Sequence, residues 1–440
     1  MLEVAVRECA ITALVVALGA TLLHYLWFLL RRALKRDLPP GPRGLPLLGY
    51  LPFMTMDGHR EIEELRRKYG NVFGLHLGFR YVVFLCDFDS IKEALSKDAL
   101  LDRAEEFPLN VYAKSQSLIV SNGPRWKEQR SFTLRTMKAL TSTLEAHAHE
   151  EASILVRQLA SSEGKPVAVV SLLTFSTSNV VTALVYGRRF EYGSSERVQL
   201  EEIADMIPAL SAQVSAINFF PWLRRVISLL NVGSCGRLRR ALMSRDRLSG
   251  SFVRLREKTY QEGTVRDYVD SFLCEMKRRG PGKESFTRDV LTSNAASLFV
   301  AGSETLRSTN EWLLVMCVAN PESQERIRSE IDSVLGKDGV GTRVLWEHRS
   351  RMPYTQAFIW ETARCQAINP FGFMRRASED VKVSGYVIPR GSVVIPSLSS
   401  VFCDASFWKD PEVFRPERFL VNDGTRAVKH ERLIVFSHGR

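Results

Sequence analysis

Hydrophobic and polar positions fall into three regimes along this chain. The first is a continuous apolar run, Cys9 to Leu30, with no formal charge in 22 residues. A helix of that length crosses a hydrocarbon core of about 30 Å. Tyr25 and Trp27 lie near its end, and Arg31, Arg32, Lys35 and Arg36 follow at once. That order places the carboxyl-terminal side in the cytosol. Glu3 and Glu8 offset Arg7, and the run is too long for a cleaved leader, so residues 1–36 read as a signal anchor spanning about residues 9–30. The second regime is short alternation. Val72 to Cys86 alternates around Gly78-Phe79-Arg80 and predicts a hairpin, and Val381 to Pro396 carries β-branched residues broken by Gly385, Pro389 and Gly391. The third is helical period, which predicts helices over Glu61–Tyr69, Trp126–Ala160, Ser171–Tyr186, Val198–Ala216, Asp267–Arg279, Arg288–Asn320, Ser323–Leu335 and Tyr354–Ala367. The fold class is mainly α with small sheets.

Leu38 to Gly49, LPPGPRGLPLLG, separates the anchor from the rest; residues 37–49 read as a semi-rigid hinge because proline fixes φ. No repeat or second linker follows, so residues 50–440 form one domain. The composition is globular, 45% hydrophobic and 25% charged, and the net charge of +11 favours acidic partners such as an anionic membrane face or an acidic protein. The basic residues are scattered and not interleaved with aromatics, which argues against nucleic acid. The seven cysteines form no CxxC pair, so neither a zinc site nor a disulfide framework is indicated, and most read as small buried hydrophobes in a reducing compartment.

Within the longest predicted helix, LFVAGSET (Leu298 to Thr305) places Gly302 beside an acid and an alcohol, Glu304 and Thr305. Glycine weakens a helix by about 1 kcal/mol relative to alanine, so its presence needs a reason. A close helix crossing supplies one, and a groove for a small ligand with a carboxylate and hydroxyl to manage protons supplies another. NGPRWKEQR sets Trp126 and Arg130 four apart on one helix face, and ETAR sets Glu361 and Arg364 three apart, with PERF and its Arg418 further on. The last ten residues, ERLIVFSHGR, run from an apolar stretch into a turn.

In this order and spacing, an anchor, a PPGP hinge, WxxxR, AGxET in a long helix, ExxR, PERF and FSxG, the chain resembles the microsomal cytochrome P450 monooxygenases. DYVDSFLCEM (267–276) and DPEVFRPERFL (410–420) are similar to the family-2-type group. The resemblance implies a haem-thiolate enzyme. With electrons from NADPH-cytochrome P450 reductase, and in some members cytochrome b5, it inserts one oxygen atom of dioxygen into an apolar small molecule. Its body would lie on the cytosolic face of the endoplasmic reticulum, held by a single membrane pass. By the same resemblance Glu304 and Thr305 deliver protons, and Arg103, Trp126, Arg130, Ala301, Arg375 and Phe436 bind haem b. Glu361, Arg364 and Arg418 would form the network behind the haem, and Ile217 to Ile227 would dip into lipid near substrate entry. Residues 111–119, 207–214 and 371–374 would line the substrate pocket. The family's haem loop runs F-x-x-G-x-R-x-C-x-G, and Phe436 to Arg440 match its first five positions. The expected cysteine ligand therefore lies beyond Arg440, and the chain reads as an incomplete record whose own haem binding and activity are doubtful. The alternative expectation is a naturally short, haem-free isoform acting as a membrane-tethered binding or decoy protein.

Overall fold

Alternating β-branched and aromatic side chains shape the amino-terminal half of a small sheet, and helices cover both of its faces. The structure is a computed structural model that describes residues 37–55, 58–104, 112, 116–192, 194–280, 284–336 and 343–438, with Gly19. The predicted anchor and its basic cluster lie outside the described residues, as do Gly439 and Arg440. After α1 (Gly58–Tyr69), β1 (Val72–Leu77) and β2 (Arg80–Leu85) form the predicted hairpin, turning at Gly78, whose φ is +54°. Then come α2 (Phe88–Ser96) and β3 (Asp102–Arg103). A long helical stretch follows: α3 (Gly123–Ala139), α4 (Thr141–Ala160), α5 (Val169–Tyr186), α6 (Ser195–Val214), α7 (Pro221–Leu230), α8 (Gly233–Lys258), α9 (Tyr268–Arg279), α10 (Arg288–Ala319), α11 (Pro321–Leu335) and α12 (Pro353–Gln366). The chain closes with β4 (Arg375–Arg376), β5 (Val381–Val383), β6 (Tyr386–Ile388), β7 (Val393–Pro396), α13 (Leu398–Phe402), β8 (Leu420–Val421) and β9 (Arg426–Ala427).

The main sheet has the order β1-β2-β7-β4-β3. β7 joins β2 in parallel and β4 antiparallel, so strands from opposite ends of the chain meet in one layer. The hinge is bound to this sheet: the Gly74 N–H donates to Pro40 O at 2.8 Å, and the Tyr81 hydroxyl donates to Pro39 O at 3.3 Å. A Cβ on Gly41 would collide with the Gly74 carbonyl, so only glycine permits that approach.

α10, 32 residues long, spans about 48 Å at 1.5 Å per residue and runs through the helical half. It ends one residue before Asn320, where Pro321 begins α11, as the proline predicts. Phe132, Tyr186, Phe252, Tyr268 and Phe272 form one core with Val290, Leu291, Ala295 and Phe299 of its first half. Two expectations change. The helix predicted over 126–160 is two helices, broken at Leu140, whose side chain is buried while the Thr141 hydroxyl turns back to Lys138 O at 2.9 Å. α8 was not predicted at all. Its buried stripe, Cys235, Leu238, Ala241, Leu242, Phe252 and Val253, is interrupted by Arg245, Ser249 and Gly250, which obscures the helical period.

Candidate functional site

Three arginines converge where the sheet's inner edge meets α3. Arg103 and Arg375 are register partners on β3 and β4, so two guanidinium groups start from adjacent backbone positions. Like charges placed opposite each other across a sheet are unfavourable. Arg130 adds a third charge from α3, its guanidinium 5.6 Å from the Trp126 ring centroid, and Trp126 is buried, so this is no surface pair. Burial, then the charge of Arg375, then that of Arg130, push Arg103 down to about 9. Burial and Arg130 push Arg375 down to about 10. The Nη1 of Arg375 donates to Leu101 O at 3.2 Å, and Arg103 lies 5.0 Å from the Phe373 ring centroid. Yet Nε and Nη1 of Arg103 and Nε of Arg375 are shut off from water without a hydrogen-bond partner. Among the described residues no carboxylate pairs with Arg103 or Arg375. Buried cations in this state need an anion. The cluster fits a ligand that brings carboxylates, and so fits the propionates of the expected haem.

α10 presents the second part of the site. Ala301 and Thr305 are one turn apart on the same face and both exposed, and the Thr305 hydroxyl donates to Ala301 O at 2.6 Å. A hydroxyl that donates to its own helix keeps lone pairs free to accept from a water or a ligand. Gly302 turns the other way. A Cβ there would sit 3.1 Å from Val181 on α5, which supports the close-crossing explanation of this glycine. Glu304 is not left unpaired in apolar surroundings. Its carboxylate accepts from Arg307 at 2.6 and 3.0 Å and from the Ser308 hydroxyl at 3.3 Å. Arg307 is raised, most of all by the hydrogen bonds it donates to Glu304, while Asp205 on α6 is raised by burial first and by the Glu304 charge second. The acid of the predicted pair therefore belongs to a charge cluster facing α6, and the alcohol faces elsewhere.

Behind α10, Glu361 and Arg364 of α12 pair through two bonds of 2.8 Å with neither side chain exposed. Arg364 also donates to Phe402 O at 2.8 Å, and Arg418 reaches Glu361 at 3.1 Å. The sequence-predicted trio is thus brought together. Burial pushes the neighbouring Cys365 thiol up to about 12, far from thiolate character. Cys86 and Cys235 are buried as expected, but Cys403 is exposed. Leu433 and Ile434 are buried in the sheet-side core, and the Ser437 N–H closes a turn on Ile434 O at 2.7 Å. Phe436 projects from that turn 94% exposed, apart from the arginine cluster. Reading by residue type missed Asn122, which accepts from the Arg103 N–H at 2.7 Å, and the buried amides Gln129 and Asn294. Asn122 reads only as a helix cap ahead of Pro124, and Gln129 lies in a charged run, so nothing local showed which segment each would bond.

Comparison with known proteins agrees in one direction. The sequence profile described as Cytochrome P450 matches residues 39–440. Cytochrome P450 2B2 of Rattus norvegicus is 32% identical over 449 residues, covering 97% of this chain and 87% of its own length. Cytochrome P450 2D15 of Canis lupus familiaris is 33% identical, covering 93% and 83%. Cytochrome P450 2J2 of Homo sapiens is 31% identical, covering 93% and 82%.

Proposed function

The chain belongs to the cytochrome P450 family and is a monooxygenase of the haem b type, and from that premise we propose how its own residues serve the reaction and where it acts. The observation that carries the reading is the cluster of three cations in which buried N–H groups of Arg103 and Arg375 have no hydrogen-bond partner. Arg103, Arg130 and Arg375 hold the two propionates of haem, with Trp126 flanking Arg130. When bound, haem supplies the iron at which dioxygen is activated. Ala301 presents only a methyl group beside the exposed Thr305, leaving that face of α10 open to a flat ligand. With its own proton on Ala301 O, the Thr305 hydroxyl would accept from a water and hold it as a proton source on this face of α10. Glu304 would reach such a water by letting go of Arg307, so the ion pair would gate its contribution. Phe436 lies against the cofactor from the sheet side.

Electrons come from NADPH-cytochrome P450 reductase, with cytochrome b5 as a second donor, and the basic excess of the chain favours such acidic surfaces. The substrate is an apolar small molecule. The body rests on the cytosolic face of the endoplasmic reticulum behind the amino-terminal span. α7 supports this placement, with Trp222, Val226, Leu229 and Leu230 exposed beside Arg224 and Arg225. Phe79 joins the same patch through Phe220, 6.0 Å away edge to face, and Leu45, Leu47 and Leu48 of the hinge are exposed as well.

Oxygen labelling tests the reading. With haem b, the reductase, NADPH and lipid vesicles, label from dioxygen is expected in the product of an apolar probe. Thr305→Ala should go on consuming NADPH while product per electron falls by about 10²-fold or more, the remaining electrons leaving as hydrogen peroxide. Label drawn from water overturns the reaction, and unchanged coupling overturns the role of Thr305.

A further inference from the structure

We propose that Asn294 and Gln129 form an amide clasp that positions the arginine cradle, fixing Arg103 and Arg130 to one reference point on α10. The proposal rests on the reading of Arg103, Arg130 and Arg375 as a carboxylate cradle.

Both amides are almost wholly buried, Asn294 at 1% and Gln129 at 0% exposure. A buried primary amide is tolerated only when its polar atoms are satisfied, and these are. Asn294 Oδ1 accepts from the Leu118 N–H at 2.7 Å. Its Nδ2 donates to Gln129 Oε1 at 2.8 Å and to the Tyr268 hydroxyl at 3.3 Å. Gln129 Nε2 in turn donates to Ser285 O, and Tyr268 shares a hydrogen bond of 3.2 Å with Thr133. The chain has a direction. The Leu118 N–H demands an acceptor and the Ser285 carbonyl demands a donor, so each amide sits in one orientation only.

The two ends of the clasp lead to two parts of the cradle. Leu118 lies in the turn closed by Val120 N–H and Ser121 N–H on Ser117 O, at 3.1 and 3.0 Å. Asn122 follows directly, and its side chain brackets Arg103, accepting from the Arg103 N–H at 2.7 Å and donating to the Arg103 carbonyl at 3.4 Å. Gln129 precedes Arg130 on α3, and Thr133 is one turn further along, so the same clasp sets the rotation of the helix that carries Arg130 and Trp126. Three cations that repel one another keep the spacing of a ligand's carboxylates only if the segments that carry them are fixed, and the clasp fixes two of those segments.

A plain core network predicts lost stability; a positioning role predicts lost carboxylate recognition. The full chain is titrated with haem b and with its dimethyl ester, in which both carboxylates are blocked, and binding is read by absorbance. The parent is expected to prefer haem b by about tenfold or more, a difference of about 1.4 kcal/mol. Asn294→Ser and Gln129→Met should each cut that preference to about threefold or less, and the double variant should lose no more than either single one, because the two share one interaction. Phe252→Leu, in the same helical core but outside the clasp, should lower the unfolding midpoint and keep the preference. In the haem-free chain, hydrogen exchange at Leu118 should quicken at least tenfold in Asn294→Ser. Equal preference in the parent overturns the cradle and the clasp with it. A preference retained in both clasp variants, or unchanged exchange at Leu118, overturns the clasp and leaves the cradle standing.

Discussion

Glu361 and Arg364 carry full charges with none of their side-chain surface exposed, and their bonding explains why this is tolerated. Besides Arg364, the Glu361 carboxylate accepts from the Arg415 N–H at 2.9 Å and from Arg418 Nε at 3.1 Å. Every charge in the trio has a partner, and deleting one strands the others in a low dielectric. That penalty runs to about 3–5 kcal/mol, against about 1 kcal/mol or less for an exposed pair. Glu361→Ala should therefore abolish soluble folding, or lower the urea unfolding free energy by that larger amount where some protein folds. A loss within about half a kcal/mol would mean that the pair behaves as a solvated one. The spacing of Glu361 and Arg364 was legible as one helix face. Their depth was not, because i,i+3 pairs look alike on a surface and in a core.

At the level of elements, the crossing of α5 and α10 is set by Gly302. Two effects oppose each other there. Alanine favours a helix over glycine by about 1 kcal/mol, while its Cβ would meet Val181 at 3.1 Å and force it to move by a few tenths of an ångström. Gly302→Ala should come out near neutral. Gly302→Leu cannot be absorbed that way and should cost about 1–3 kcal/mol by overpacking. Adding Val181→Ala to the leucine variant should recover part of that loss, and chemical denaturation of the three variants reads it. If Gly302→Leu is neutral, the helices are not in close contact at this point. α5 is also the described helix apolar and long enough to cross a membrane, and its packing on α10 accounts for that composition.

Across the whole molecule, apolar side chains from distant segments gather on one exposed patch, with Phe79 from the hairpin turn meeting Phe220 before α7. The Phe79 N–H donates to Phe219 O at 3.1 Å, which ties the sheet to the region before α7 by backbone. A patch of this kind on a basic molecule fits an interfacial position on anionic lipid. Trp222 reports on it. In vesicles carrying brominated acyl chains, the full chain should show tryptophan quenching that falls clearly in Trp222→Phe. Equal quenching in the two proteins would place this face away from lipid.

Local chemistry determined what could be read in advance. Periodicity located the hairpin, α10 and its end at Pro321, because strand alternation, helical period and proline's missing donor act within a few residues. The ordered motifs likewise fixed the family, and the resemblance they carry named Arg103, Trp126, Arg130 and Arg375 as expected haem contacts. Tertiary structure decided the rest. It broke the helix predicted over 126–160 at Leu140, buried Arg245 and Ser249 within the apolar face of α8, and turned Glu304 toward Arg307 while Thr305 faced away. It alone brought β3 and β4 into register, so that residues 272 positions apart in sequence set like charges side by side. Whether a polar side chain is solvated, paired or stranded depends on which segments pack around it. Those contacts are long-range, and nothing in the local order of residues encodes them.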